Sequence, residues 1–157
     1  MTSAPVAERL AFLGLTLPEQ TSPQHPYLAV REDAGLLYLS GKTASLDGVV
    51  QYRGIIGEPN LEQGREAARL CALQVLSAID HSVGLDRVKG ILKLTVFVAS
   101  EPNFVRQPEV ANAASQLFVD VLGQAGQHTR SAVGVASLPG GSSVEIEAIV
   151  RLTEGAR

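Results

Sequence analysis

The stretch from Asn60 to Gly123 constrains the fold most, because it reads helix, strand, helix with little chain between them. In "EPNLEQGREAARLCALQVLSAIDHSVGLD", Ala68, Cys71, Val75, Ile79 and Val83 recur at helical spacing as one apolar stripe. Asn60 suits an N-cap, Gln63 three residues on completes a capping-box pattern, and Gly84 suits the stop. "VKGILKLTVFVAS", 88–100, is β-branched and largely apolar, which predicts a central strand. "QPEVANAASQLFVDVLGQAG" predicts a second helix. Pro108 fits its first position, Glu109 its first turn and Gly123 its end. Val110, Ala114, Leu117, Phe118 and Val121 line one side of it.

Strands flank this unit. Leu28 to Glu32 and Leu36 to Ser40 predict a hairpin turning through "DAG", and residues 48–54 a short third strand. "HTRSAVGVASLPGGSSVEIEAIV", 128–150, reads as two strands closing as a hairpin through "LPGG". A short helix, Val6 to Leu13, opens the chain. The order β-β-(β)-α-β-α-β-β predicts an α+β fold, one sheet with both helices on one face. Leu37, Leu39, Val96 and Val98 suggest a sheet apolar on both faces. One face would then be uncovered, and such patches mark interfaces, so self-association is expected. At 157 residues the chain predicts a single domain, 1–157, with residues 1–25 an N-terminal extension.

Composition narrows the function. Net charge is −3, no cluster of Lys and Arg occurs and Trp is absent, so no nucleic-acid partner is expected. No apolar run could span a bilayer, and the start lacks a secretory pattern, which makes the cytoplasm the default compartment. Cys71 has no partner for a disulfide and sits on the helical stripe, as a small buried residue would. His25, His81 and His128 lack metal-ligand spacing, so no metal is expected. His128 still stands out, two residues before Arg130. Lys89 and Lys93 share a strand face and could border a cleft. Ser40 lacks the nucleophile-elbow pattern, and "GGSS" precedes a strand and is no phosphate loop.

Arg130 and Glu145 are polar in a segment otherwise suited to burial. Strand alternation puts Glu145, Glu147 and Ile149 on one face. A tight "LPGG" turn would set Arg130 on that same face, within diagonal reach. Two readings fit this spacing. One is a surface cross-strand ion pair. The other is an anion site, with Arg130 gripping a carboxylate bidentately and Glu145 holding a water.

"LLYLSGK", "VKGILKLTVFVASEPNF" and "HTRSAVGVASLPGGSSVEIEAIV" together, in this order over residues 26–152, strongly resemble the Rid/YjgF family of reactive intermediate deaminases, once named L-PSP endoribonucleases. The resemblance implies a chorismate-mutase-like fold and a homotrimer with clefts between subunits. It implies hydrolysis of small carboxylate-bearing enamines and imines, such as 2-aminoacrylate, to 2-keto acids and ammonia, with no cofactor. It assigns Arg130 to the substrate carboxylate and Glu145 to the water. Tyr27, Gly41 and Asn112 match family positions. Ser40, Phe118 and Ala132 join them as candidate substrate-binding residues. The sequence departs from the family pattern at Lys42, where Gln is usual, at Ala132, where Cys is frequent, in the loop around Tyr27, residues 24–30, in the stretch 128–139 and in the extra N-terminal residues. These departures mark a divergent subgroup. A non-catalytic carboxylate-binding or regulatory trimer is the second reading, and an endoribonuclease the third.

Overall fold

The computed structural model describes residues 5–21 and 25–154. Helix α1 (Val6–Phe12) is followed by strands β1 (Val30–Asp33) and β2 (Leu36–Thr43). A small ribbon, β3 (Ser45–Leu46) and β4 (Val49–Val50), leads to the long helix α2 (Leu61–Val83). Then come β5 (Val88–Ala99), α3 (Gln107–Leu122), β6 (Thr129–Val135) and β7 (Val144–Leu152). The main sheet has the order β1-β2-β7-β5-β6, and α2 and α3 pack on each other and on one of its faces. This is the α+β layer pair that the sequence predicts.

β7 occupies the middle of the sheet, antiparallel to β2 on one edge and to β5 on the other. Its Val144, Ile146, Ala148, Val150 and Leu152 point to the helices and are buried, while Glu145, Glu147 and Ile149 point away. Buried residues of β5, Leu94, Val96 and Val98, lie in the same layer. α2 covers them with Ala68, Cys71, Val75 and Ile79, and α3 with Val110, Ala114, Leu117, Phe118 and Val121. Both predicted helical stripes are core, although Val83 is only half-buried. Cys71 Sγ donates to the Val144 carbonyl at 3.3 Å, and burial pushes its thiol pKa up.

Several local expectations need correction. β6 and β7 are not a hairpin. β6 runs parallel to β5, and β7 lies on β5's opposite edge. Residues 136–143 cross the end of β5, a span longer than hairpin loops favour. A parallel pair needs a crossover, and α3 supplies it between β5 and β6. The capping box at α2 does not form. Asn60 Oδ1 instead accepts from Gly57 N at 2.7 Å, and Gln63 Nε2 donates to the Arg53 carbonyl at 2.7 Å. Pro108 is the second residue of α3, after Gln107. In place of one strand at 48–54 there is the β3–β4 ribbon, with Arg53 bridging to Ser142. Leu37, Leu39, Val96 and Val98 all face the helices. The open sheet face is therefore mixed, with Tyr38, Phe97 and Ile149 among Lys93, Thr95, Glu145 and Glu147.

The N-terminal segment packs on the helical layer. Arg9 Nη1 donates to the Val121 carbonyl at 3.4 Å, where α3 ends at Gly123. Ser77 Oγ donates to the Pro18 carbonyl, and Gln20 Nε2 to Gln74 Oε1 at 3.0 Å, which straps residues 18–20 along α2.

Between α3 and β6 the chain doubles back at Gly126, so close that a Cβ there would strike the Phe118 carbonyl. Backbone cannot yield as a flexible side chain can. Gly126→Ala is expected to lower the unfolding free energy by about 1–3 kcal/mol. An unchanged urea midpoint would contradict this close approach.

Candidate functional site

Arg130 lies on β6, opposite Leu94 of β5, and so on the helical side of the sheet. α3 meets it there. Its Nη1 donates to Asn112 Oδ1 at 3.0 Å and to Ser115 Oγ at 2.9 Å, and its Nη2 to the Pro108 carbonyl at 3.3 Å. Asn112 and Ser115 stand three apart on one face of the helix. All three acceptors are neutral, and among the described residues Arg130 makes no ion pair. Of the five guanidinium N–H groups, these bonds leave Nε–H and one Nη2–H without an acceptor. Partial burial lowers its pKa, but an arginine stays charged at neutral pH.

Glu145 sits on the other face, opposite Phe97 and Thr43. β2 has a bulge between Leu39 and Lys42, and the Glu145 carboxylate rests against the bulged Gly41. A Cβ at Gly41 would overlap Glu145 Oε1, so a side chain there would displace the carboxylate from this position. Glu145 is half-buried, and among the described residues it has no ion-pair partner. Burial, and then the charge of Glu147, raise its pKa above the ordinary carboxylate value. The bulge also turns Lys42 to the helical side, opposite Ile146. There its Nζ donates to Gln20 Oε1 at 3.1 Å, and burial lowers its pKa.

Arg130 and Glu145 are thus on opposite faces of one chain, not on one patch as strand parity across a tight turn predicts. The β5 strand between β6 and β7 breaks that parity argument. The other candidates divide the same way. Asn112 is bonded to Arg130, and Ala132 is on the helical side opposite Val96, half-buried against the core. Tyr27 and Ser40 line a shallow depression with Arg31, Tyr38 and Glu147, about 530 Å³ in volume. Ser40 Oγ donates to the Leu28 carbonyl at 2.7 Å, and Tyr27 is 54% exposed and stacked on His25. Phe118 is 0% exposed, a core residue that cannot line a cleft. Lys93 Nζ bonds Ser131 Oγ on the open face, whereas Lys89 lies with Arg87 and Arg151 at the sheet's end. Ser115 was not singled out by sequence. Its only signal is its place one turn after Asn112.

The family described as Endoribonuclease L-PSP matches residues 18–152. The chain belongs to the Rid/YjgF family. It is 42% identical to Protein TCP17 of Trypanosoma cruzi over 155 residues, 97% of each chain. It superposes on the Agrobacterium tumefaciens protein Atu1372, described as of unknown function, with a TM-score of 0.85 at 39% identity, over 94% of this chain and 91% of that one. A family member from Shewanella oneidensis MR-1 superposes with a TM-score of 0.88 at 26% identity, over 94% and 99%. Among the described residues, no helix of this Rid/YjgF chain is long and apolar enough to cross a membrane.

The contact at the bulge has a thermodynamic signature. The atoms nearest a Cβ at Gly41 all belong to Glu145. Gly41→Ala alone is expected to destabilise the protein by only about 0.5–1.5 kcal/mol, because the Glu145 carboxyl is the end of a flexible side chain that can swing aside. In the double variant with Glu145→Ala, most of that loss should vanish, a coupling that chemical denaturation of the full cycle measures. Additive effects would contradict the packing described.

Proposed function

We propose that this protein hydrolyses small enamine and imine intermediates of the 2-aminoacrylate type to 2-keto acids and ammonia, as a homotrimer with clefts between subunits. The observation that carries the reading is the state of Arg130. It is a cation held by three neutral acceptors, with two donors left over and, among the described residues, no carboxylate paired with it. A substrate carboxylate matches those donors bidentately. Glu145 is the complement, a half-buried carboxyl with no cation paired to it among the described residues. The two lie on opposite faces of one sheet, so only a neighbouring copy can bring a second chain's Glu145 to Arg130. That requirement supports an oligomer with shared sites.

The chemistry needs little more. The enamine tautomerises to the imine, whose carbon is electrophilic. Arg130 holds the carboxylate and so aligns that carbon for attack. Glu145 takes a proton from water as the oxygen adds, giving a carbinolamine. Glu145 returns that proton to the nitrogen, then relays the proton of the new hydroxyl to the same nitrogen as the C=O forms, so that the C–N bond breaks and ammonia leaves with the 2-keto acid behind. Gly41 admits the Glu145 carboxyl to this position because it has no side chain to exclude it.

Assay with 2-aminoacrylate generated in situ tests the proposal. Arg130→Ala is expected to lose about a hundred-fold or more in kcat/KM, and Glu145→Gln about 10²–10⁴-fold. A wild type no faster than buffer would end the hydrolytic reading. Glu145 must be ionised to take a proton, and its pKa is raised. Activity is therefore expected to fall in mild acid, above the ordinary carboxylate range, as pH drops through that pKa. Light scattering should give three times the chain mass, and a monomer would contradict the shared cleft.

A further inference from the structure

His128 is left without a task by the hydrolytic reading, yet it is wired to Arg130. Its Nδ1 lies 2.6 Å from the Gly126 carbonyl oxygen, and its Nε2 3.0 Å from Ser115 Oγ. A carbonyl oxygen only accepts, so Nδ1 carries the proton. In the neutral ring Nε2 then offers a lone pair, and the Ser115 hydroxyl donates to it. The lone pairs of Ser115 Oγ are thereby left to accept Arg130 Nη1–H. The bonds run in one direction, from Arg130 to Ser115 to His128 to Gly126.

The surroundings hold this chain in place. Phe118 of α3 packs against the ring, with centroids 6.0 Å apart and planes at 81°. Gly126 is pinned against the carbonyl of that same Phe118. Arg130 is the charged group that acts on the ring. On α3, Asp120 is turned to Gln116 and Glu109 to Arg106, and on β5, Lys93 is turned to Ser131 on the far face of the sheet. Burial lowers the His128 pKa, the bond to Gly126 opposes this, and the Arg130 charge lowers it further. The lowered pKa favours the neutral ring, the state in which Ser115 donates to Nε2.

We infer that His128 is a positioning residue which, through Ser115, holds Arg130 for its ligand, and that a proton on His128 and a carboxylate on Arg130 favour each other's binding. The inference rests on the reading of Arg130 as a carboxylate site. An anion there cancels the field that disfavours the imidazolium. Linkage is reciprocal, so a proton on His128 must strengthen anion binding by the same factor. Ser115 can accept from both cations, so the link survives protonation.

Pyruvate, a small 2-keto acid, is the probe. NMR titration of the His128 ring, identified by its absence in His128→Gln, gives the pKa without and with saturating pyruvate. The pKa is expected to rise with pyruvate, and pyruvate affinity to increase about five-fold as pH falls through it. His128→Gln, whose Oε1 can accept from Ser115, should keep most of the affinity at pH 7 and lose this part of the pH dependence. His128→Phe and Ser115→Ala should each weaken pyruvate about ten-fold, with circular dichroism confirming that each variant is folded. An unmoved His128 pKa, with pyruvate binding that Arg130→Ala abolishes, would overturn the inference and leave the carboxylate site standing. Pyruvate bound equally by wild type and Arg130→Ala, or by neither, would overturn the site and this inference together.

Discussion

β7 is hydrogen-bonded along both edges and packed against helices on one face, and the positions of the other elements follow from it. Its buried side chains alternate with half-buried or exposed ones. A slip of one residue would bury Glu145 and Glu147 and expose Ile146 and Ala148. Register is therefore strongly specified on both sides, and β2 and β5 are held to it. The helices have one apolar layer to cover, and they cover it from one side. The polar residues of β7 are driven to the open face by the same alternation.

That arrangement divides the candidate site. Arg130 pairs with Leu94 and Glu145 with Phe97, positions of opposite parity on β5, so the cation and the carboxyl lie on opposite faces within one chain. Each half-site is left electrostatically unfinished. Among the described residues Arg130 has only neutral acceptors, and Glu145 packs against a glycine with no counter-ion. A charge partly removed from water and left unpaired is unfavourable, and its usual remedy is a partner of opposite sign. Two copies of the chain could supply one another.

The divergent features lie at the edges of this frame. Lys42 stands where the family usually has Gln, yet the β2 bulge turns it away from Glu145 and toward Gln20. Gln20 in turn bonds Gln74 of α2. The segment before the first strand is thus tied to the bulge that shapes the Glu145 environment. α1 is anchored separately, by Arg9 at the end of α3.

Helix positions, their buried faces, the β5 strand and the outward aim of Glu145 were legible in the sequence, because helical and strand periodicities are local properties of the chain. The residues Arg130, Gly41 and Asn112 were legible through family motifs. What periodicity could not supply was strand order. "LPGG" looks like a hairpin turn, and only the competition for β5's two edges sends β7 to the far side. The same long-range choice moved Arg130 to the helical face and placed it among Asn112, Ser115 and the Pro108 carbonyl. It also made Phe118 core where a lining residue was expected. Local sequence determined which residues alternate and which side of an element is apolar. Tertiary structure decided which faces meet, because pairing between distant strands depends on contacts that no short window of sequence contains.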